Sequence, residues 1–434
     1  MDSARVGALF FHAVEDLVKA NDIVLTLQLR EAMDAEALAQ AFGRQVRSRP
    51  TLASTLQLEP VAAGHGWERL DEKRLDSLLE QQLLAMVSGA AESPEVFFPT
   101  NSVLPYRVRL TDPRRLELRI SHLLTNGQGA LFWANDLLSM MHGEWVELPQ
   151  PAGPGSRWRR CVTVLRETFW SLAWTASFLA AAGWRASSNT VDLSHGGEPL
   201  PMGGGFFRAR RVLSAEQSRA LVGQAREQGR RVSSVLLSAL SAELLAARPE
   251  QDQVCIVMPD DLLAARPDVA RSDPGNHTGA LLARLRRGLG LRESQPGAAD
   301  LRGLASQADT AMQWSRRGVA AGTTRLADLT LRDERQLRQQ LRAAAAKPLS
   351  ARGPFESASC VLSNLGARRE FGRLSDACEW ISVTSFGQPP ILSALDISGR
   401  VAFELSASND LFDGAEMQRL LDGFVARLLT PGQP

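Results

Sequence analysis

The stretch ISHLLTNGQG, Ile120 to Gly129, lies where a run of alternating residues ends and an apolar helix is predicted to begin. The preceding RLELRIS (Arg115 to Ser121) alternates apolar and polar residues, as a half-buried strand does. His122 has the phase of the apolar residues and Ser121 that of the polar ones. An imidazole carried inward at a strand end can line a cavity and accept a proton near neutral pH. His122 is therefore a candidate general base; a buried histidine bonded to a backbone carbonyl is the alternative interpretation.

The composition is that of a globular protein large enough for two lobes. The chain has 434 residues, of which 44% are hydrophobic and 22% charged, and at this length one hydrophobic core usually gives way to two. The net charge of +1 gives no reason to expect nucleic acid as a partner. The first residues become acidic too early for a secretory signal. We therefore predict a cytoplasmic protein.

The spacing of the cysteines and the absence of several catalytic motifs argue against several kinds of chemistry. Cys161, Cys255, Cys360 and Cys378 are far apart and include no CxxC pair, which favours buried free thiols over disulfides or a zinc site. No GxSxG, HExxH or P-loop motif occurs, and the glycines at 203–205 lack the spacing of a dinucleotide-binding loop. The sequence implies no metal or redox cofactor.

Strand and helix patterns are mixed in both halves of the chain, which predicts an α/β protein. In the first half, a strand at Ile23 to Arg30 precedes a helix with Asp34 as its N-cap, and a hairpin joins Pro105 to Leu110 with Arg115 to Ser121. A well-buried helix is predicted at 129–141. The second half predicts strands at 206–212, 254–258, 281–285, 359–363, 391–397 and 401–405, and helices at 214–228, from 233, at 333–346 and at 415–429.

Two breaks rich in proline or glycine, at 148–156 and 187–205, frame a tryptophan-rich helix at 158–184. We therefore divide the chain into an N-terminal lobe (1–160), a helix and crossover linker (161–205) and a C-terminal lobe (206–434). The apolar run of the helix is shorter than the about 20 residues that span a bilayer. It can be a core helix, the wall of an acyl tunnel, or a peripheral lipid contact that presents Trp170, Trp174 and Phe178.

SHLLTNG resembles the HHxxxDG motif of the condensation-domain superfamily. This group includes nonribosomal peptide condensation domains, wax-ester synthases, polyketide-associated acyltransferases and chloramphenicol acetyltransferase. VLSNLG (Val361 to Gly366) is similar to the SNxxG strand end in the second half of these proteins. The segment at 32–54 resembles their first helix, and weak similarity extends over nearly the whole chain. The resemblance implies two chloramphenicol-acetyltransferase-like lobes with mixed sheets and an active-site tunnel between them.

The motif departs from the family pattern at two positions. Ser121 replaces the first histidine and Asn126 the aspartate, while the second histidine, on which the family chemistry relies, is His122. In the family the aspartate is mainly structural and usually pairs with an arginine. Asn keeps the shape of Asp and accepts a hydrogen bond but has no charge, so we expect a weaker pair and a looser loop at His122.

The resemblance implies an acyltransferase for secondary metabolism or lipid modification, in which His122 activates an alcohol or amine that attacks a thioester. The thioester is an acyl-CoA or an acyl group on a phosphopantetheinyl carrier protein. Backbone N–H groups near Gly127, or a donor from the second lobe, would hold the oxyanion. Asn364, Ser385 and His12 are candidate tunnel residues. For Asn364 a turn role is an equally good interpretation, and for His12 an ordinary surface role is the alternative.

Two other functions remain open. Ser121 and Asn126 fit a catalytically degenerate relative that acts as a binding or partner protein, in which case replacing His122 leaves the biological function intact. The same tunnel also suits a cyclase or chain-release enzyme, which needs no external nucleophile. His195 and His277 are interpreted as loop and turn residues.

Overall fold

The computed structural model describes most of the chain, and two sheets organise it. The described residues are 22–56, 67–88, 104–122, 124–146, 157–180, 190–193, 206–261, 278–288, 298–320, 322, 358–368, 370–385, 389–409 and 412–430. The predicted helix at 333–346 and the histidines His12, His195 and His277 lie outside them. No helix in these ranges is long and apolar enough to cross a membrane.

The first sheet has four strands, and every neighbouring pair is antiparallel. Its strands are β1 (Asp22–Leu29), β4 (Tyr106–Asp112), β5 (Arg115–Ser121) and β10 (Cys378–Ser385). Their order is β10-β1-β5-β4. The hairpin predicted from the sequence joins β4 to β5. Strand β10 comes from the C-terminal part of the chain and was not predicted, and it lies at the edge of the first sheet beside β1.

The second sheet has six strands of mixed direction. They are β6 (Phe206–Val212), β7 (Gln253–Asp261), β8 (Thr278–Arg286), β9 (Cys360–Ala367), β11 (Ile391–Asp396) and β12 (Val401–Ser408). The order is β6-β12-β11-β9-β7-β8, with parallel pairing of β9 to both β7 and β11. Two short strands, β2 (Ser54–Leu56) and β3 (Trp67–Arg69), pair separately.

Helices cover one face of each sheet and form two separate cores. The first core contains the apolar face of the four-stranded sheet, which packs under α1 (Ala35–Ser48), α2 (Glu72–Ser88) and α3 (Gly127–Met141). The helices of the second core are α5 (Ala215–Glu227), α6 (Val232–Ala247), α7 (Ala298–Arg316) and α9 (Gly414–Leu429). Two further helices are α4 (Arg157–Ala180) and the short α8 (Gly372–Ala377). The two mixed α/β lobes expected from the sequence are confirmed.

Local sequence signals explain where several helices begin. Asp34 caps α1, as predicted, because its side chain accepts a hydrogen bond from the N–H of Glu36. Ser214 and Gln217 form a capping box at the start of α5. All four cysteines are free, but Cys161 is exposed on α4, so the prediction of buried thiols is wrong for this residue and correct for the other three.

Candidate active site

The candidate base lies in the turn that joins β5 to α3. The strand ends at Ser121, and the N–H groups of Leu124 and Thr125 both donate to the Ser121 carbonyl, at 3.0 and 3.3 Å. His122 is thus the first residue of the turn and half-buried. Its direction is set by this turn, and the strand phase on which the sequence argument relied ends one residue before it.

The environment of His122 keeps the imidazole neutral. Burial lowers its pKa from 6.5 to about 4, although hydrogen bonds to the backbone of His122 itself and of Thr125 act in the opposite direction. Those backbone groups are acceptors, because only an acceptor stabilises the protonated ring. In a neutral imidazole one nitrogen donates and the other accepts. At neutral pH the ring therefore has the protonation state that a general base needs.

Asn126 holds the turn by capping α3. Its side-chain oxygen accepts hydrogen bonds from the N–H groups of Gln128 and Gly129, both at 3.0 Å. Asn and Asp are about equally good N-caps, so the change from Asp to Asn retains this contact without the charge. The N–H groups of Gln128 and Gly129 are among those near Gly127 that the sequence analysis considered as oxyanion donors. Asn126 already occupies both of them.

A buried arginine–carboxylate pair fixes α3 further along. The guanidinium of Arg49, from the end of α1, donates to both carboxylate oxygens of Asp136 at 2.6 and 3.0 Å, and both side chains are buried. Gln45 adds a bond of 3.0 Å to the same carboxylate. The sequence analysis missed this pair. Its only local signal is an aspartate inside the otherwise apolar GALFWANDLLSMM.

The second motif packs directly on the first. A Cβ on Gly127 would lie 3.1 Å from Cδ2 of Leu365, the third residue of SNLG, and Leu365 packs against the core of the first lobe. Gly366 has a φ of +70°, where glycine is favoured. Asn364 accepts from the N–H of Gly366 at 3.0 Å and donates to Ser233 on α6 at 2.8 Å. Asn364 and Gly366 both lie inside β9, where the register against β11 shifts around Leu365, so the turn interpretation is wrong and Asn364 holds a strand bulge. A contact of Asn364 with substrate remains a prediction.

The strand register brings Ser385 to the same edge of the first sheet as His122. Ser385 is paired with Ile23 on β1, and Ile23 with Ile120 on β5, which separates Ser385 from Ile120 by two strand spacings, about 10 Å. The C-terminal ends of β5 and β10 lie together because both strands run antiparallel to β1. Asp22, opposite Ser121, adds a buried carboxylate that sequence reasoning missed because it began the strand at Ile23.

A charged network on the polar face of the first sheet joins the lobes. Arg208 on β6 forms an ion pair of 2.8 Å with Glu404 on β12 and reaches across to Glu117 on β5, at 3.5 Å. It also donates to the hydroxyls of Thr26 and Thr384. This face also contains Ser121, so the face that the sequence analysis placed away from the cavity is turned towards the second lobe.

Glu404 is ionised within this network. Burial raises the pKa of its carboxyl, but Arg208 and Arg210 outweigh that effect and lower it to about 2. Arg210 pairs with Glu404 at 2.7 Å and lies 4.6 Å above the ring of Trp380 on β10. The ion pairs therefore connect β5 of the first sheet with β6 and β12 of the second, and the contacts to Trp380 and Thr384 add β10. Within the described residues, no group of His, Cys, Asp or Glu is arranged to hold a metal ion.

Comparison with known proteins identifies the fold. No family model and no curated sequence matches the chain. Polyketide synthase associated protein 5 from Mycobacterium tuberculosis is 17% identical with a TM-score of 0.60, and 96% of each chain is covered. The first condensation domain of the calcium-dependent antibiotic synthetase, in complex with a substrate analogue, is 14% identical with a TM-score of 0.62, covering 100% of this chain and 97% of that one.

A third solved structure is that of the starter condensation domain of rhizomide synthetase in complex with C8-CoA. It is 13% identical with a TM-score of 0.59 and covers 97% of this chain and 92% of that one. Such low identities compare folds, and the coverage shows that both lobes are shared. The chain therefore has the two-lobed fold of condensation domains and of polyketide synthase associated protein 5, which is the fold that SHLLTNG and SNLG predicted.

Proposed function

We propose that this protein is a stand-alone condensation-type acyltransferase that moves an acyl group from a thioester to an alcohol or amine, with His122 as the general base. The contact between Gly127 and Leu365 supports this proposal most directly, because it joins the two motifs beside a neutral imidazole. In this proposal the lobes are residues 1–160 and 206–434, and the substrates meet in a tunnel between them.

The proposed reaction needs no covalent acyl-enzyme. The nucleophile gives its proton to the imidazole of His122 as its oxygen or nitrogen attacks the thioester carbonyl. The tetrahedral intermediate then expels the sulfur, which leaves as a thiol with the proton that His122 returns. Ester or amide and free thiol are the products. Much of the acceleration comes from holding two substrates in line.

The oxyanion requires a hydrogen-bond donor that the turn itself can supply. In the first turn of α3, Asn126 engages the N–H groups of Gln128 and Gly129, and its carbonyl accepts from Ala130. Among the described residues the N–H of Gly127 has no such partner, so we assign it as the candidate donor. Ser385, at the adjacent strand end, is the candidate from the second half of the sequence.

The proposed donor is an acyl-CoA or an acyl carrier protein. The starter condensation domain of rhizomide synthetase, which shares this fold, is in complex with C8-CoA. We propose a comparable thioester here and an acceptor with one nucleophilic hydroxyl or amine. The chemistry requires no resident cofactor, because the thioester itself supplies the leaving group.

The competing account is a degenerate relative that binds a partner without turnover. Ser121 and Asn126, which replace two residues of the family motif, favour it. The neutral ring of His122 is compatible with either account, and the intact cap at Asn126 keeps its turn in place in both.

A donor panel tests the proposal. Thiol release would be followed from acyl-CoA and acyl-carrier donors of increasing chain length, each with pooled simple alcohols or amines and each without acceptor. We expect release that requires an acceptor, with one donor class preferred. Release from a single donor without acceptor would indicate the chain-release alternative. Donor binding without release under all acceptor pools would indicate an acceptor outside the pools. No release together with no donor binding would favour the partner protein.

A further inference from the structure

Helix α4 packs Glu167, Ser171 and Trp170 against the second lobe and exposes apolar side chains on its outer face. Five of the six described large hydrophobic side chains that are exposed belong to it: Val162 (45% exposed), Val164 (40%), Leu165 (70%), Phe169 (63%) and Leu172 (55%). Leu165, Phe169 and Leu172 follow one another at three- and four-residue intervals, so they form one stripe along the helix. This outer face is named the α4 stripe.

The inner face is fixed against the second lobe. Glu167 and Ser171 are fully buried there. Gly318 leaves room for Glu167, since a Cβ at position 318 would lie 2.8 Å from the Glu167 Cγ. Trp170 meets Trp314 edge to face at 5.8 Å, and Arg317 lies 4.3 Å above the Trp170 ring. The α4 stripe therefore cannot turn inward without breaking these contacts.

This orientation corrects part of the sequence analysis. A core helix does not fit, because a core helix would not expose Leu165 and Phe169. Trp170, which the lipid-contact alternative would place at a membrane, packs on α7 as the core alternative requires. The side chains of Trp174 and Phe178 lie outside the described residues.

Positive charge accompanies the apolar stripe. The helix sequence RWRRCVTVLRETFWSLAWTASFLA contains four arginines and one acidic residue, Glu167, which is buried. Arg166, next to Leu165, is exposed. An amphipathic helix with arginines and exposed leucine and phenylalanine matches the surface of a bilayer that contains anionic lipids.

The size of the stripe distinguishes lipid from protein as the occupant. From Val162 to Leu172 the helix rises about 15 Å, and a helix is about 10 Å wide. For the described side chains this footprint of about 150 Å² is far below the roughly 800 Å² per partner of a stable protein interface. A helix at a membrane interface binds through its buried apolar area together with electrostatic attraction to anionic lipids, so the positive charge of α4 adds to its small apolar stripe.

We propose that the α4 stripe docks this protein on anionic lipid surfaces, with Leu165, Phe169 and Leu172 inserted below the headgroups and the exposed Arg166 beside lipid phosphates. This inference does not depend on the acyltransferase proposal. An inactive protein would bind in the same way.

Vesicle cosedimentation tests the proposal. The full chain would be mixed with vesicles of phosphatidylcholine alone and of equal parts phosphatidylcholine and phosphatidylglycerol. We expect binding to the anionic vesicles that weakens with salt and falls about tenfold or more when Leu165, Phe169 and Leu172 are all replaced by Gln. Trp145→Gln, which removes the one exposed large hydrophobic side chain outside α4 among the described residues, is the matched control and should bind as the wild type does. Far-ultraviolet circular dichroism would confirm that each variant is folded.

A second readout follows insertion directly. Burial raises the pKa of Cys255 to about 11 and those of Cys360 and Cys378 to about 12, whereas Cys161 is exposed on α4. A polarity-sensitive thiol dye at neutral pH should therefore label Cys161, and its emission should shift to the blue on anionic vesicles. No binding to anionic vesicles, or binding that the triple variant retains, would overturn the proposal. So would a dimer that the triple variant abolishes while its vesicle binding is unchanged.

Discussion

Gly127 lies against Leu365: a Cβ at position 127 would stand 3.1 Å from Leu365 Cδ2 and 3.3 Å from Cδ1. Gly127 begins α3, immediately after the Asn126 cap, and Leu365 lies in β9 of the other sheet. The φ of Gly127 is outside the left-handed region, so backbone conformation does not call for glycine at this position. Glycine at this position therefore allows close packing between the lobes, and a side chain would displace Leu365.

Replacing Gly127 by Val should destabilise the protein by about 1 to 3 kcal/mol, because the added methyls overlap Leu365. The double variant Gly127→Val with Leu365→Ala should recover part of that loss, with a coupling of about 0.5 kcal/mol or more. Chemical denaturation of the wild type, the two single variants and the double variant measures this coupling energy. Gly223→Val on α5, where a Cβ would have no neighbour within 4 Å, is the control. If the losses in stability of Gly127→Val and Leu365→Ala simply added in the double variant, the contact between these two residues would be contradicted.

His122 should titrate far below an ordinary histidine. Because burial lowers its pKa to about 4, its imidazole signals in NMR spectra should remain those of the neutral ring down to about pH 5. His122→Gln identifies these signals by their loss. A His122 titration near pH 6.5 would refute the buried, neutral base.

The same shift predicts a pH dependence of stability. Between about pH 6.5 and pH 4 the unfolded chain binds a proton at His122 that the folded protein does not, so stability falls as the pH falls through this window. The free energy of unfolding of the wild type should therefore decline more steeply there than that of His122→Gln. Above about pH 7 the difference between the two proteins should no longer vary with pH.

Asn126 is expected to act as a helix cap that tolerates Asp. Asn126→Ala removes the acceptor of two backbone N–H groups and should cost about 1 kcal/mol. Asn126→Asp keeps both bonds and adds a charge that the helix N-terminus favours, so it should be at least as stable as the wild type. A carboxylate four residues from His122 should also raise the pKa of His122. Equal stability of the Ala and wild-type proteins would contradict the cap.

Glu404 should connect the two lobes energetically. Glu404→Gln leaves Arg208 and Arg210 without their shared carboxylate and should cost about 3 kcal/mol at pH 7, as breaking a buried ion pair does. The folded pKa of about 2 lies below that of the unfolded chain. The contribution is thus present above about pH 4.5 and is lost as the pH falls towards 2.

The matched control for Glu404 is Asp76→Asn, which breaks the exposed pair of Asp76 with Arg47. An exposed pair contributes about 0 to 1 kcal/mol. If the two substitutions lowered the free energy of unfolding equally at pH 7, the network between the lobes would stabilise the protein no more than a surface ion pair does.

Local patterns in the sequence predicted the elements around the site well. The alternation of RLELRIS and the apolar density after Asn126 indicated β5 and α3, and Asp34 was identified as an N-cap. In each case the decisive residues are neighbours in the chain, so spacing alone reveals the structure.

The remaining features depend on residues that are distant in sequence. Strand β10 has few large apolar residues, and only its pairing with β1 places Ser385 near His122. Arg119 and Glu117 have the pattern of a solvent-facing strand face, but Arg208 from the other lobe pairs with Glu117. Neither the pairing of β10 with β1 nor the ion pair of Arg208 with Glu117 produces a periodic pattern in the local sequence, so neither could be predicted from it.

The most direct test of the central claim is the rate of acyl transfer by His122→Ala with the donor and acceptor that the wild type prefers. A general base contributes about 100- to 10,000-fold, so the variant should form ester or amide at least about 100-fold more slowly while binding the donor as the wild type does. His142→Ala, at the exposed C-terminal end of α3, should retain full activity. Wild-type rates in the His122→Ala protein would contradict the proposed role of His122.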